Sequence, residues 1–298
     1  MTRAALIVNP LASRVTPELV ATVERELGPV ETRLTRARGH ATELAAELSE
    51  SCDRIFVLSG DGVYNEVVNG LDGRVTVGFL PGGGTSVLPR ALGLPRDPVA
   101  CARVLARSEA RRRISLGRVN GRRFTFSAGL GIDAEVVRAI DRFGRRRGRR
   151  PGDAVFLWTL LRILGARRGR FEPALTVEGH GRAALAFVAN CDPYTYVGRL
   201  PVHVAPEARF ELGLDLIAPR RVRAGGLPAL VWWVLVHPGQ TRSPDVLHLH
   251  DFDELRIVCD RPTALQVDGE DLGDVTEATF ATERDAIDVI VAGRGGTS

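Results

Sequence analysis

An apolar run, Ile55-Phe56-Val57-Leu58, passes directly into Ser59-Gly60-Asp61-Gly62 and then into a helical pattern that lasts to Leu71. A strand, a glycine turn and a helix in immediate succession constrain the fold more than any other stretch. Glycine lets the backbone approach a ligand without a Cβ, and the N–H groups opening a helix attract negative charge. Asp61 falls at the carboxyl end of the strand, where open α/β sheets place their ligands. A second loop of the same kind follows one βα unit later. There the apolar residues 75–80 lead into Pro81-Gly82-Gly83-Gly84-Thr85-Ser86 and a short helical pattern ending near Gly93. Either glycine cluster alone reads equally well as a plain turn. Two of them, each directly after a buried-type strand, point to a phosphate-bearing ligand approached from neighbouring strands.

The rest of the first 110 residues alternates in the same way. A strand over residues 4–8 precedes a helix that Thr16 caps, Pro17 opens, Leu19, Val20, Val23 and Leu27 carry, and Gly28 stops. A strand at 30–34, a helix at 41–48 and a closing helix at 99–106 complete the pattern. Regular βα alternation implies a doubly wound αβα domain with a mostly parallel sheet. Short runs at 124–126, 175–177, 185–189, 255–259 and 286–290 then lie between Gly, Pro and Asp turns, as antiparallel strands do. The expected organisation is a nucleotide-binding αβα domain over residues 1–117 and an antiparallel β-sandwich domain over 118–298. The last residues would pack back on the first domain.

Composition removes several mechanisms. All 40 basic residues are arginine. A Walker A loop, a protein-kinase strand lysine and a Schiff base each need the missing amine, so phosphate must be held by backbone N–H groups, hydroxyls, arginine or metal. The net charge of +4 is unevenly spread: Arg142, Arg145, Arg146, Arg147, Arg149 and Arg150 precede the apolar residues 154–161, and Arg162, Arg167, Arg168 and Arg170 follow. Trp158 lies within the apolar run. Cations beside an interfacial aromatic suit a membrane surface, although a core helix after a solvated basic loop is the commoner arrangement. Nucleic acid is not expected, because no aromatics interleave with these arginines beyond Phe143. The first residues look like a buried strand rather than a signal peptide. The longest apolar runs fall short of the ~18 residues of a spanning helix. Cys52, Cys101, Cys191 and Cys259 form no CxxC pair, so a reducing cytoplasm is the expected compartment.

In order and spacing, a set of motifs resembles the soluble lipid kinases that include bacterial diacylglycerol kinases and sphingosine kinases. Asn9-Pro10 matches the family's opening, and Thr35 with Gly39-His40-Ala41 its next segment. Residues 59–71 match GGDGT-x-NEVVNGL, and 81–95 its P-x-GT-x-N run. Gly129-Leu130-Gly131-Ile132-Asp133-Ala134, Pro206 with Ala208, and Val267-Asp268-Gly269-Glu270 follow. The resemblance implies transfer of the γ-phosphoryl group of ATP to a lipid hydroxyl, most simply diacylglycerol, with Mg²⁺ as cofactor and ATP in a cleft between two domains. Asn9, Ser13, Thr35, Ser59, Gly60, Asp61, Gly62, Val63, Asn65 and Thr85 would line the ATP site, with Asp61 engaging Mg²⁺ or the phosphate water shell. Asp268 and Glu270, two apart on an extended strand, would both face the cleft. Asp268 would orient metal, and Glu270 would accept the hydroxyl proton. On spacing alone, Asp268-Gly269-Glu270 is a plain hairpin turn.

The sequence also departs from the family. Val63 replaces a threonine, Ser86 stands at the usual asparagine, and Gly84 at the usual threonine. The structural Mg²⁺ segment D-G-x-L-D reads Glu211-Leu212-Gly213-Leu214-Asp215, which counts against a metal at Glu211, Gly213 and Asp215. Alternatives are a kinase of another lipid alcohol or long-chain base, an NAD-kinase-like enzyme, and a catalytically weak nucleotide or lipid binder. The lipid substrate would be met at a membrane surface through the 142–170 segment, and the resemblance allows a homodimer. His248 and His250 read as ordinary polar strand positions, and Trp232-Trp233 as core.

Overall fold

The computed structural model describes residues 3–147, 153–236 and 239–293. The chain divides into two compact units. One holds the residues up to Leu116 together with those from Arg284 onward, and the other is Gly117–Glu283.

In the first unit β1 (Ala4–Val8), α1 (Pro17–Leu27), β2 (Glu31–Leu34), α2 (His40–Ser49), β3 (Arg54–Ser59), α3 (Asp61–Gly70), β4 (Thr76–Pro81), α4 (Val87–Ala91) and α5 (Pro98–Arg107) follow in order. The Thr16 side chain accepts the Leu19 N–H, and Gly28 ends α1 at φ 82°. Asp97 caps α5 in the same way through the Ala100 N–H. The strands pair in parallel in the order β2-β1-β3-β4. A strand returning from the chain's far end joins β4 through Asp288 opposite Thr76. Residues 5–8, Ile55, Val57, Leu58, Val77, Phe79 and Leu80 are completely buried, which is why these strands read as unbroken apolar runs. Right-handed crossovers put α1 on one face and α2 and α3 on the other. Consistent with this, α1 packs on α5 and α2 on α3. The winding direction changes between β1 and β3. At such a switch point a crevice opens outside the carboxyl ends of the two strands; here those ends lead into Asn9 and Gly60.

The second unit contains β5 (Arg111–Val119, shared with the first unit), β6 (Arg122–Phe124), β7 (Ser127–Leu130), α6 (Ile132–Arg147), α7 (Asp153–Ala166), β8 (Leu175–Val177), β9 (Gly181–Ala183), β10 (Ala186–Ala189), β11 (Thr195–Val197), β12 (Leu200–Val202), β13 (Leu214–Pro219), α8 (Leu227–Leu235), β14 (Val246–Phe252), β15 (Glu254–Val267) and β16 (Glu270–Ile290), whose end is the returning strand of the first unit. Its sheet is antiparallel in the order β14-β13-β10-β7-β15-β16. The core gathers Phe124, Leu130, Val188, Leu216, Ile257, Val267 and Phe280. A second cluster, Ile132, Val136, Ile140, Phe171, Leu185 and Val222, seats α6 and the inner side of α7.

Two sequence expectations fail here. Trp158 is 63% exposed and Trp232 is 56% exposed, so neither of these rings lies in a core, while Trp233 is half-buried. Among the described residues no helix is long and apolar enough to cross a membrane. Among the described residues the four cysteines form no disulfide.

Candidate functional site

The two glycine loops touch backbone to backbone. A Cβ on Gly83 would lie 2.8 Å from the Gly60 Cα, and one on Gly82 would lie 3.0 Å from the Ser59 nitrogen. The Gly82 N–H donates to the Ser59 carbonyl at 2.6 Å, and the Tyr64 hydroxyl lies 2.7 Å from that carbonyl and 2.6 Å from the Leu80 carbonyl. The ends of β3 and β4 are thereby locked together. Glycine is required there because the main chains approach closer than a side chain permits. Burial raises the Tyr64 phenol well above its ordinary pKa, so it stays a neutral hydrogen-bonding group.

The loop after β1 joins them. The Asn9 side chain accepts the Leu11 N–H at 2.9 Å, the Arg14 N–H donates to the Gly82 carbonyl at 3.1 Å, and the Ser13 hydroxyl lies 4.0 Å from where a Gly84 Cβ would stand. Asn9, Ser13, Gly60 and residues 82–85 therefore share one end of the sheet. Thr35 continues the β1–β2 pairing through its N–H to the Val8 carbonyl, at the same end.

Not every expected side chain is available. Ser59 and Asn65 are completely buried, and the Ser59 hydroxyl has no hydrogen-bond partner among the described residues. Gly60, Gly62 and Val63 stay partly exposed, so at this turn the accessible groups are mostly backbone. Val63 replaces a hydroxyl there with an apolar group. Asp61 is 8% exposed, and its Oδ1 accepts the Leu88 N–H at 3.3 Å, tying the start of α3 to α4. Ser86 has φ 47°. This is the left-handed region that asparagine enters more readily than most residues, so the backbone itself accounts for an asparagine preference there. Ser86 compensates locally, its Oγ accepting the Gly83 N–H at 3.2 Å.

Glu66 was not anticipated. Its carboxylate accepts the Ala41 N–H at 3.2 Å, and its carbonyl accepts the Thr42 hydroxyl at 2.9 Å. It thus supplies α2 with the cap that Gly39, at φ 86°, cannot provide from a side chain. Its adjacency to Asn65 in the motif was the only sequence signal.

In the second unit the Asp268 expectation is corrected. Asp268 and Gly269, at φ 47° and 76°, form a two-residue turn, with Val267 opposite Glu270 across the hairpin. Asp-Gly is a favoured pair for a turn with both central residues at positive φ. The Asp268 carboxylate is 1% exposed. It accepts four hydrogen bonds, from the Thr125 N–H (2.7 Å), the Thr125 hydroxyl (3.0 Å), the Phe126 N–H (3.0 Å) and the Ser127 N–H (3.1 Å). It shapes the chain entering β7 rather than presenting oxygens to a metal. Glu270 accepts from Arg122 at 2.9 Å. Below the turn, Asp133 accepts from Tyr194 at 2.7 Å and Gln266 at 2.6 Å, and burial raises its carboxyl above the usual carboxylate range. Tyr194 and Gln266 lie 61 and 133 positions from Asp133, so no local pattern could join them.

The segment of Glu211, Gly213 and Asp215, whose sequence already counted against a metal, makes other contacts. Asp215 is fully buried and receives His250 Nδ1 at 2.9 and 3.0 Å and the Asp251 N–H at 3.0 Å. The Gly213 N–H donates to Asp251 at 2.6 Å, and Glu211 is exposed. An imidazole and a backbone N–H thus engage the Asp215 carboxylate. Among the described residues no cluster of three or more His, Cys, Asp or Glu could hold a metal ion. The carboxylate raises the His250 pKa, so His250 is more than an ordinary polar strand position.

Comparison with known proteins agrees with this architecture. Residues 3–119 match the family model of the diacylglycerol kinase catalytic domain. A diacylglycerol kinase of Bacillus subtilis (strain 168) is 36% identical over 146 residues, which is 46% of this chain and 48% of that protein. The chain thus spans about half the length of the curated relatives it matches. The crystal structure of a diacylglycerol kinase from Bacillus anthracis str. Sterne superposes with a TM-score of 0.70 at 20% identity over 97% of each chain. An NAD kinase from Archaeoglobus fulgidus, in complex with ATP, superposes with a TM-score of 0.50 at 12% identity, over 98% of this chain and 94% of that one. The motifs, the touching glycine loops and the matched span thus agree in making the N-terminal α/β region similar to the diacylglycerol kinase catalytic domain.

Proposed function

We propose that the protein is an ATP-dependent lipid kinase that transfers the γ-phosphoryl group to the hydroxyl of diacylglycerol. The observation that carries this reading is the contact of two glycine loops at the carboxyl ends of β3 and β4, beside the sheet's switch point, where backbone N–H groups would take the place of the absent lysine. Phosphoryl transfer demands positioning and charge stabilisation more than covalent chemistry. The turn at residues 60–63, with Asn9, Ser13, Thr35 and Thr85 around it, would hold the phosphates, and Asp61 would meet their Mg²⁺ through water. When bound, Mg²⁺ supplies positive charge to the phosphate oxygens. Glu270, whose carboxylate Arg122 holds in one orientation, would accept the lipid hydroxyl proton. As the acceptor, its carboxylate would take the proton late in the transfer, as the hydroxyl becomes acidic.

The test offers labelled ATP and Mg²⁺ with diacylglycerols, long-chain bases, other lipid alcohols and NAD, beside Asp61→Ala and Glu270→Ala. Label on diacylglycerol that disappears in both variants supports the assignment. Label on NAD alone would instead favour the chemistry of the fold's NAD-kinase relatives. ATP binding without transfer would mark a non-catalytic relative.

A further inference from the structure

Two helices of the second unit leave the same point and expose the same pattern. Phe171 and Val222 form an isolated antiparallel bridge, each donating its N–H to the other's carbonyl, at 2.9 and 3.1 Å. Helix α7 ends at Ala166, five positions before Phe171, and α8 begins at Leu227, five after Val222. On α7, Trp158 and Leu161 are 63% and 57% exposed; on α8, Trp232 and Leu235 are 56% and 40% exposed, with Val236 beside them at 58%. Both helices carry tryptophan at i and leucine at i+3, the spacing that places side chains on one face. Single exposed apolar residues mean little, but grouped tryptophan and leucine are costly to leave in water.

The ground between the helices is basic. Residues 167–172 and 220–223 hold six arginines against one glutamate. Arg170 and Arg223, with Glu172, Ala224 and Gly225, line a cavity of about 410 Å³. Arg162 stacks over the Trp158 ring at 5.6 Å, so cation and interfacial aromatic stand together. Arg167 is anchored by Glu135 at 2.6 Å and lies over Phe171 at 5.1 Å, which fixes the base of the notch.

We infer that α7 and α8 form a paired docking surface for an anionic bilayer. Trp158, Leu161, Trp232, Leu235 and Val236 enter the interface, and Arg170 and Arg223 receive a lipid phosphate between them. The occupant follows from charge complementarity. A partner rich in negative phosphate matches the arginine notch, and only a lipid surface offers apolar depth immediately beside it. The inference rests on the lipid kinase reading for its purpose, and it adds α8 and the notch to the basic segment visible in the sequence.

The full-length protein is sedimented with vesicles of phosphatidylcholine alone and with phosphatidylglycerol added. Wild type, Arg170→Glu/Arg223→Glu and Trp158→Ser/Trp232→Ser are compared, and thermal midpoints are checked for equal folding. Wild type should partition to the anionic vesicles, and each double variant should bind at least about tenfold more weakly. Both should retain turnover on a water-soluble short-chain diacylglycerol. Equal binding by all three proteins, or loss of a homodimer in place of vesicle binding, overturns the surface. Binding that depends on these residues in a protein that phosphorylates no lipid supports the surface and overturns the kinase reading.

Discussion

Gly83 and Gly84 are adjacent, yet alanine should have opposite effects at the two. A Gly83 Cβ would lie 2.8 Å from the Gly60 Cα, a backbone atom, while a Gly84 Cβ meets nothing nearer than the Ser13 hydroxyl at 4.0 Å. Carbon atoms rest about 3.5–4.0 Å apart, so Gly83→Ala must push the two loops apart by roughly 0.7 Å. Overpacking of this kind costs about 1–3 kcal/mol. Against it, replacing glycine where alanine fits stabilises by about 0.4–1 kcal/mol, because the unfolded chain loses freedom. Gly83→Ala should therefore destabilise the first unit by about 1–2 kcal/mol, and Gly84→Ala should be neutral or slightly stabilising. Urea unfolding followed by probes in each unit separates them. The expectation is a lower midpoint for Gly83→Ala at unchanged slope, since the surface exposed on unfolding is the same. Equal midpoints for the two variants would refute the loop contact, and with it the geometry on which the phosphate reading depends.

Asp268→Asn should cost about 3 kcal/mol, because an amide presents donors to some of the four donors that the carboxylate now satisfies; Glu270→Gln should cost under about 1 kcal/mol yet abolish transfer. Similar stability losses in both would remove the distinction between a shaping and a reacting group. At Ser86, asparagine should be tolerated and valine should destabilise by about 1–3 kcal/mol, given the left-handed backbone; circular dichroism melts decide it. The His250–Asp215 pair carries a pH signature. His250 is raised above its unfolded value of 6.5 by Asp215, and Asp215 is itself raised by burial. In both cases the folded state holds the proton more tightly, so each contribution is largest at low pH and fades as pH rises through the folded value. Glu207, Asp251 and His248 also act on the pair. Wild type should lose stability above pH 6.5 more steeply than His250→Gln; equal slopes would show that the pair does not titrate in this way.

Sequence by itself determined the first unit and the placement of its glycine loops. Buried parallel strands must be apolar throughout, and helix caps and left-handed turns admit few residue types, so Thr16, Gly28 and the two glycine clusters were legible locally. The hairpin at Asp268 was legible too, as a turn, and the Mg²⁺ segment at residues 211–215 already showed its departures. Only the tertiary structure decided what the carboxylates do. Asp268 faces four donors from residues 125–127, Asp215 faces His250, Asp133 faces Tyr194 and Gln266, and Glu66 caps a helix begun 26 residues earlier. The same holds for Trp158 and Trp232, whose apolar neighbours suggested a core. Composition states what a segment prefers to bury, but whether anything covers it depends on how distant segments pack. Periodicity records the environment of a residue's own element, whereas a charge or an exposed ring takes its role from partners the chain brings in from elsewhere.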